Sequence, residues 1–348
     1  MSHVYDQNVA PEETNRPASP LTAPPSDPAV APPVRRPGSV RRTSTVLMTW
    51  PGGLGTDLHL TGRARDLITP LDGEPIVMGH SDLRVVTGRE RDIRSVEADP
   101  SPVGLERLVG CRAGKNLRAA IATELPDEVA GGTPLYLLLD DLAGSTLISG
   151  FAFLRWSDHL PEIKARLENA PRRVMRGICS GFRDGASSLL SDGSLSGLRQ
   201  NTAEPGPLVD PADPLGWHVV EVQPEIAMRR ARRIDVWEED GAIGIDAMFR
   251  DSCWDPGGAE VVIHEYQIIG TADPGTGVLL SVEALPRVLP YVECPVAAAN
   301  ASWMAGTDLR EMRTKVLERL RATDCCTHLN DGLRSLAEVP VLAASLPA

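Results

Sequence analysis

The sequence predicts an α+β protein made of two similar tandem halves, each an antiparallel sheet followed by helices. Three observations carry this prediction. Stretches such as Val261 to Ile269 alternate apolar and polar residues and are set apart by turn residues, as in Asp273-Pro274-Gly275-Thr276-Gly277, which indicates antiparallel hairpins. Segments with apolar residues at helical spacing come after the strands rather than between them. A set of short matches also recurs in one order across the chain, at a separation of roughly 185 to 195 residues.

Residues 1–38 are dominated by Pro, Ala, Ser, Thr and acids, as in Pro20-Leu21-Thr22-Ala23-Pro24-Pro25, and are expected to be a disordered tail, since they bury too little surface to offset their ordering entropy. The first half, 39–183, opens on Val40 to Trp50, which Met228 to Trp237 echoes in the second half, 214–348. Further matches follow. Asp57 to Asp66 pairs with Ile245 to Asp251, Gly79-His80-Ser81-Asp82 with Ile263-His264-Glu265-Tyr266, and Ser95 to Pro100 with Ser281 to Pro286. Gly114-Lys115-Asn116 pairs with Gly306-Thr307-Asp308, and Leu139 to Leu142 with Leu329 to Gly332. A helix is expected around Glu162 to Cys179, and the Gly- and Pro-rich stretch 184–213 reads as a flexible linker. In the second half, Pro295 suits a first helical position, which makes Cys294 the N-cap and Gly306 the end. Asp308 caps a second helix that buries Leu309, Met312, Val316 and Leu320. A third starts at Thr327, buries Leu329, Leu333 and Leu336, and is stopped by Pro340.

Composition narrows the function. With 42% hydrophobic residues the 348-residue chain can build a real core. A net charge of -12 argues against nucleic acid or an anionic membrane as partner, because phosphate would repel it. Clusters such as Arg41-Arg42 and Arg229 to Arg233 read as solvated strand edges. No apolar run of membrane-spanning length and no signal-peptide core stand out, and the six cysteines lack paired spacing. The expectation is a cytoplasmic protein with reduced thiols and an unidentified protein or small-molecule partner. No Gly-rich phosphate loop, dinucleotide fingerprint, HExxH or GxSxG step is present, so no nucleotide cofactor is expected.

The candidate site lies near the C-terminal end. Cys294 and Cys326 each stand where a helix begins, and the positive end of a helix dipole favours the thiolate that binds metals or attacks electrophiles. With His328 or His264, and a carboxylate such as Asp331 or Asp251, they make a ligand set for zinc or an iron-sulfur centre. The first half serves as an internal control: it has no cysteine opposite Cys294, and Thr133-Pro134-Leu135-Tyr136 stands where Cys326-Thr327-His328 would be. His80 is the expected counterpart of His264 and Asp141 that of Asp331, which favours structural roles for those two. Two alternatives stay open. One is an enzyme whose thiolate is activated by His328 and Asp331, and the other is a non-catalytic partner-binding protein.

The series Ile263-His264-Glu265-Tyr266, Pro286-Arg287-Val288-Leu289-Pro290, Glu293-Cys294-Pro295 and Cys326-Thr327-His328-Leu329-Asn330-Asp331 resembles the uncharacterised bacterial family catalogued as domain of unknown function 2889, which implies no activity. The second half is also similar in element order to iron-sulfur scaffold proteins of the NifU and IscU type. That resemblance implies a metal-binding pocket. Cys294 corresponds to the first helix start, Gly306-Thr307-Asp308 to the glycine-containing turn and Cys326 to the late cysteine. The earlier cysteine of those scaffolds has no match, and Cys253 or His264 is left to stand in for it.

Overall fold

The computed structural model describes residues 27–31, 34–170, 173–197 and 200–347; the expected disordered tail lies largely outside the described residues. Eight strands form one antiparallel sheet in the order β4-β3-β2-β1-β5-β6-β7-β8. The first four are β1 (Ser39–Thr49), β2 (Leu58–Thr69), β3 (Ile76–Thr87) and β4 (Ile93–Asp99). Helices α1 (Leu117–Glu124), α2 (Pro126–Gly131), α3 (Pro134–Ile148), α4 (Phe151–Trp156) and α5 (Pro161–Glu168) come next. The other four strands are β5 (Ala227–Glu239), β6 (Ala242–Trp254), β7 (Glu260–Ala272) and β8 (Leu279–Val288). After a 3-10 run at Cys294–Met304 come α6 (Met312–Arg319), α7 (Thr327–Ser335) and α8 (Val339–Ala343). Each group of four strands is a meander, and β1 and β5 join the two groups, with Val46 opposite Arg230 and Arg42 opposite Ile234.

Both faces of β1 and β5 are covered, which explains their burial and overturns the expectation that their arginines are solvated. Arg41, Arg42, Arg229, Arg230, Arg232 and Arg233 are all buried. A guanidinium persists in such surroundings only when carboxylates meet it, and here they do. On one face Arg42 forks onto Asp66 (2.6 Å twice) and Arg230 onto Asp251 (2.9 and 3.0 Å). On the other, Arg41 forks onto Asp235 (2.6 and 2.7 Å). Arg42–Asp66 and Arg230–Asp251 are directly opposite each other across their strand pairs, and each aspartate is followed by a register shift, at Asp66/Leu67 and at Asp251/Ser252.

The helices cover the face that carries Arg42 and Arg230. Helix α3 is capped by the Thr133 side chain, which accepts from Tyr136 N, and it buries Leu135, Leu138, Leu139 and Leu142. It approaches β5 so closely that a Cβ at Gly144 would collide with Arg230 Nη1 and lie 2.6 Å from Asp331 Oδ2. The run Pro134–Trp156 has the length and apolar character of a membrane span, which the sequence reading passed over; 67% of its most apolar window is buried inside the protein, as a core helix requires. Asp308 caps its helix through Arg310 N as expected, and Leu309, Met312, Val316 and Leu320 are buried.

Three local expectations need correction. Cys294–Met304 winds as 3-10 helix with Glu293, not Cys294, as its cap. Pro340 does not stop α7 but lies in the first turn of α8, where its missing N–H costs nothing. The helix expected to reach Cys179 ends at Glu168.

The described residues of 184–213 hold no helix or named strand; among them Leu208 is buried, Ser187 N donates to Glu293 Oε1 at 2.7 Å, and Ala203 bridges Val262. The following stretch packs Trp217 against Ala231 and Met248 on the face away from the helices.

Candidate functional site

The chemistry-bearing residues of the second half gather under α7. Cys326 is the residue before its first turn, so His328 enters at the second helical position with its ring directed at the sheet. There it meets β7 and β6. The rings of His264 and His328 stack with centroids 3.5 Å apart and 16° between planes, and His328 Nε2 lies 3.9 Å from Asp251 Oδ2. One ligand atom from each of Asp251, His264 and His328 falls within 4.8 Å of the others. Asp251 and His264 are buried, and the His328 side chain retains 15% exposure.

Neutral imidazole is enforced here. Burial, then the neighbouring His328 ring, hold His264 well below its ordinary pKa, with Asp251 opposing. Burial, then the Arg230 and Arg232 guanidiniums, push His328 down to about 3. Among the described residues His264 Nδ1 has no hydrogen-bond partner although it is buried. His328 Nδ1 faces Thr327 Oγ1 at 3.4 Å and Cys326 Sγ at 4.0 Å. A neutral ring with an uncommitted nitrogen is the form that donates a lone pair to a metal.

The thiols lie elsewhere in character. Cys294 and Cys326 are both buried in the helix-side core of the second half, and a Cβ added at Gly181 would lie 2.6 Å from Cys294 Sγ and 3.9 Å from Cys179 Sγ. Burial raises the pKa of Cys294 well above the ordinary thiol value, with Cys326 and Cys179 adding to it. Burial also raises Cys326, while the neighbouring Tyr266 hydroxyl and nearby backbone N–H groups lower it. Cys179 and Cys325 are pushed up to about 12, in each case chiefly by burial. Desolvation thus works against the thiolates expected at helix starts, and at Cys294 the helix is a 3-10 run whose cap is another residue.

Asp331 belongs to the arginine network. Its carboxylate lies 3.3 Å from Arg230 Nη1 and 3.4 Å from Arg118 Nη2, beside Asp141, which forks onto Arg232 (2.6 and 2.7 Å). Of the expected ligands, the fold brings His264, His328 and Asp251 together, with Cys326 Sγ 4.0 Å from His328 Nδ1, whereas Cys294 belongs to the apolar core and Asp331 to the arginine network. The register also corrects one pairing. Gly79, not His80, lies opposite Asp66, whereas His264 lies opposite Asp251; His80 lies opposite Arg65 and is exposed. A one-residue offset in a strand places a side chain on the other face, so His80 is no counterpart of His264.

Sequence reasoning missed Arg230 and Tyr266. Arg230 holds Asp251 in place through both oxygens, and Tyr266 Oη is buried among the thiols without a geometric hydrogen-bond partner. An Arg-rich central strand with aspartates on its neighbour was the available signal for the first. No curated protein and no solved structure shows a match to this chain. Residues 228–342, from β5 to α8 and including every residue of the cluster, match the model of a family described as Protein of unknown function (DUF2889).

Proposed function

We propose that the second half is a binding module for one divalent transition-metal ion of the zinc class, held by His264, His328 and Asp251, with Cys326 the next donor in reach. The observation that carries this reading is the convergence of two neutral imidazoles and a carboxylate within 4.8 Å, one of whose buried ring nitrogens has no partner. Zinc accepts nitrogen and oxygen donors at this count. An iron-sulfur cluster of the NifU or IscU kind asks for several thiolates, and burial disfavours that form for Cys294 and Cys326. We further read the chain as an internal duplication housed in the cytoplasm, supported by the matching Arg–Asp cross-strand pairs, their matching register shifts and six unbridged cysteines. In that reading the first half carries Gly79 where the second carries His264, so one half alone holds the site.

The test is metal content after dialysis against zinc, together with the visible spectrum of the cobalt-substituted protein. Wild type is expected to retain stoichiometric metal, His264→Ala and His328→Ala less than half of it, and Cys294→Ser the wild-type amount. Wild-type protein that takes up no metal, or histidine variants that bind as wild type does, defeat the proposal.

A further inference from the structure

A second cleft, in the first half, is built with the opposite charge to the rest of the chain. It has a volume of about 330 Å³ and is lined by Arg89, Arg91, Arg112 and Arg173, with Glu90 the single carboxylate among the described residues of its wall. In a chain of net charge -12, four guanidiniums around one opening are a local inversion of sign. Arg89, Arg112 and Arg173 are exposed around the opening and Arg91 is half-buried. Here the charges that bear on Arg91 are the like charges of Arg112 and Arg173, which, after burial, lower its pKa.

The position of Arg91 is held by backbone rather than by a counter-ion. Its N–H donates to Gly88 O at 2.9 Å, its carbonyl accepts from Ala113 N at 2.7 Å, and its φ is 65°, a left-handed conformation that non-glycine residues rarely adopt. Thr87 lines the cleft and is fully buried. Trp50 and Leu58 furnish an apolar wall beside it.

We propose that this cleft binds a small phosphorylated molecule, with the phosphate held by Arg91, Arg112 and Arg173 and the remainder seated toward the wall formed by Trp50 and Leu58. Guanidinium forks match phosphate oxygens in pairs, and a dianion is the group that best neutralises several of them at once. The proposal is independent of the metal reading and concerns different residues.

The test is isothermal titration of the full chain with inorganic pyrophosphate at low salt. Arg112→Ala and Arg173→Ala remove exposed side chains, and Arg91→Gly removes a guanidinium while keeping a residue that accepts the left-handed backbone. Saturable binding to wild type is expected, weakened about tenfold or more by each of the three substitutions. Arg63→Ala, at an exposed position on β2, leaves it unchanged. Absence of saturable binding, equal affinity in wild type and all three arginine variants, or an equal response to sodium chloride of matched ionic strength overturns the proposal.

Discussion

Replacing Glu338 by glutamine tests whether the buried ion pairs hold the C-terminal helices to the sheet. Glu338 is 1% exposed and its carboxylate lies between two guanidiniums: Oε2 accepts from Arg42 Nη1 at 2.5 Å and Oε1 from Arg313 Nη2. Burial alone would lower the pKa of Arg42, yet Asp66 and Glu338 together leave it raised, so the acids more than offset the desolvation of the cation. Glutamine keeps the volume but removes the charge and turns one acceptor into a donor facing an N–H. Breaking one side of a buried pair costs about 3 to 5 kcal/mol, and the Asp66 and Gly132 contacts that remain to Arg42 place the expected loss near the lower end, about 3 kcal/mol. With a urea m-value of about 3 kcal/mol/M, the unfolding midpoint falls by about 1 M. The exposed Arg63–Asp82 pair, 3.5 Å apart with 60% and 53% side-chain exposure, is the control, and its removal changes stability by less than about 1 kcal/mol. If Glu338→Gln unfolds within experimental error of wild type, the buried network is not holding the layers together.

Acid and thiol reagents probe the same burial. Burial holds His328 at about 3 and His218 at about 4, so the unfolded chain, with imidazoles near their ordinary pKa, binds more protons than the folded one below about pH 6.5. Stability is therefore complete above that pH and falls as the solution is acidified toward the depressed values, with a slope approaching about 1.4 kcal/mol per pH unit for each group; urea midpoints that do not move between about pH 8 and pH 5 contradict this. Of the six free cysteines only Cys111 is not buried, so a thiol reagent applied to the native protein should label Cys111 and reach the other five on denaturation, as mass spectrometry would report. Rapid native labelling of Cys294 or Cys326 contradicts the burial described for them.

Periodicity and turn chemistry carried the antiparallel strands and the ordering of strands before helices, and the stripe of Leu309, Met312, Val316 and Leu320 was readable because helical spacing depends on sequence alone. The site was partly readable: His264, His328 and Asp251 stand out as ligand-type residues, while their proximity depends on which face of the sheet β6 and β7 turn toward α7. There the register shift after Asp251 decides, and pairing His264 with His80 falls one residue off. The central arginines were misread for a related reason. Arg41-Arg42 and Arg229 to Arg233 look like edge residues until the strands that supply Asp66, Asp235 and Asp251 are placed beside them, and that placement is a long-range property. Thiol acidity was misjudged because helix ends are visible in sequence and burial is not.

The seam between β1 and β5 has a consequence for anyone who would work with the family-matched segment by itself. Cut free of its companion, residues 228–342 would present β5 as a bare border with a full row of unsatisfied main-chain donors and acceptors and several arginines stripped of cover. Such a fragment would be driven to recruit a twin along that border, antiparallel as β1 is now. Expressed alone it should migrate in size-exclusion chromatography as a dimer or larger species.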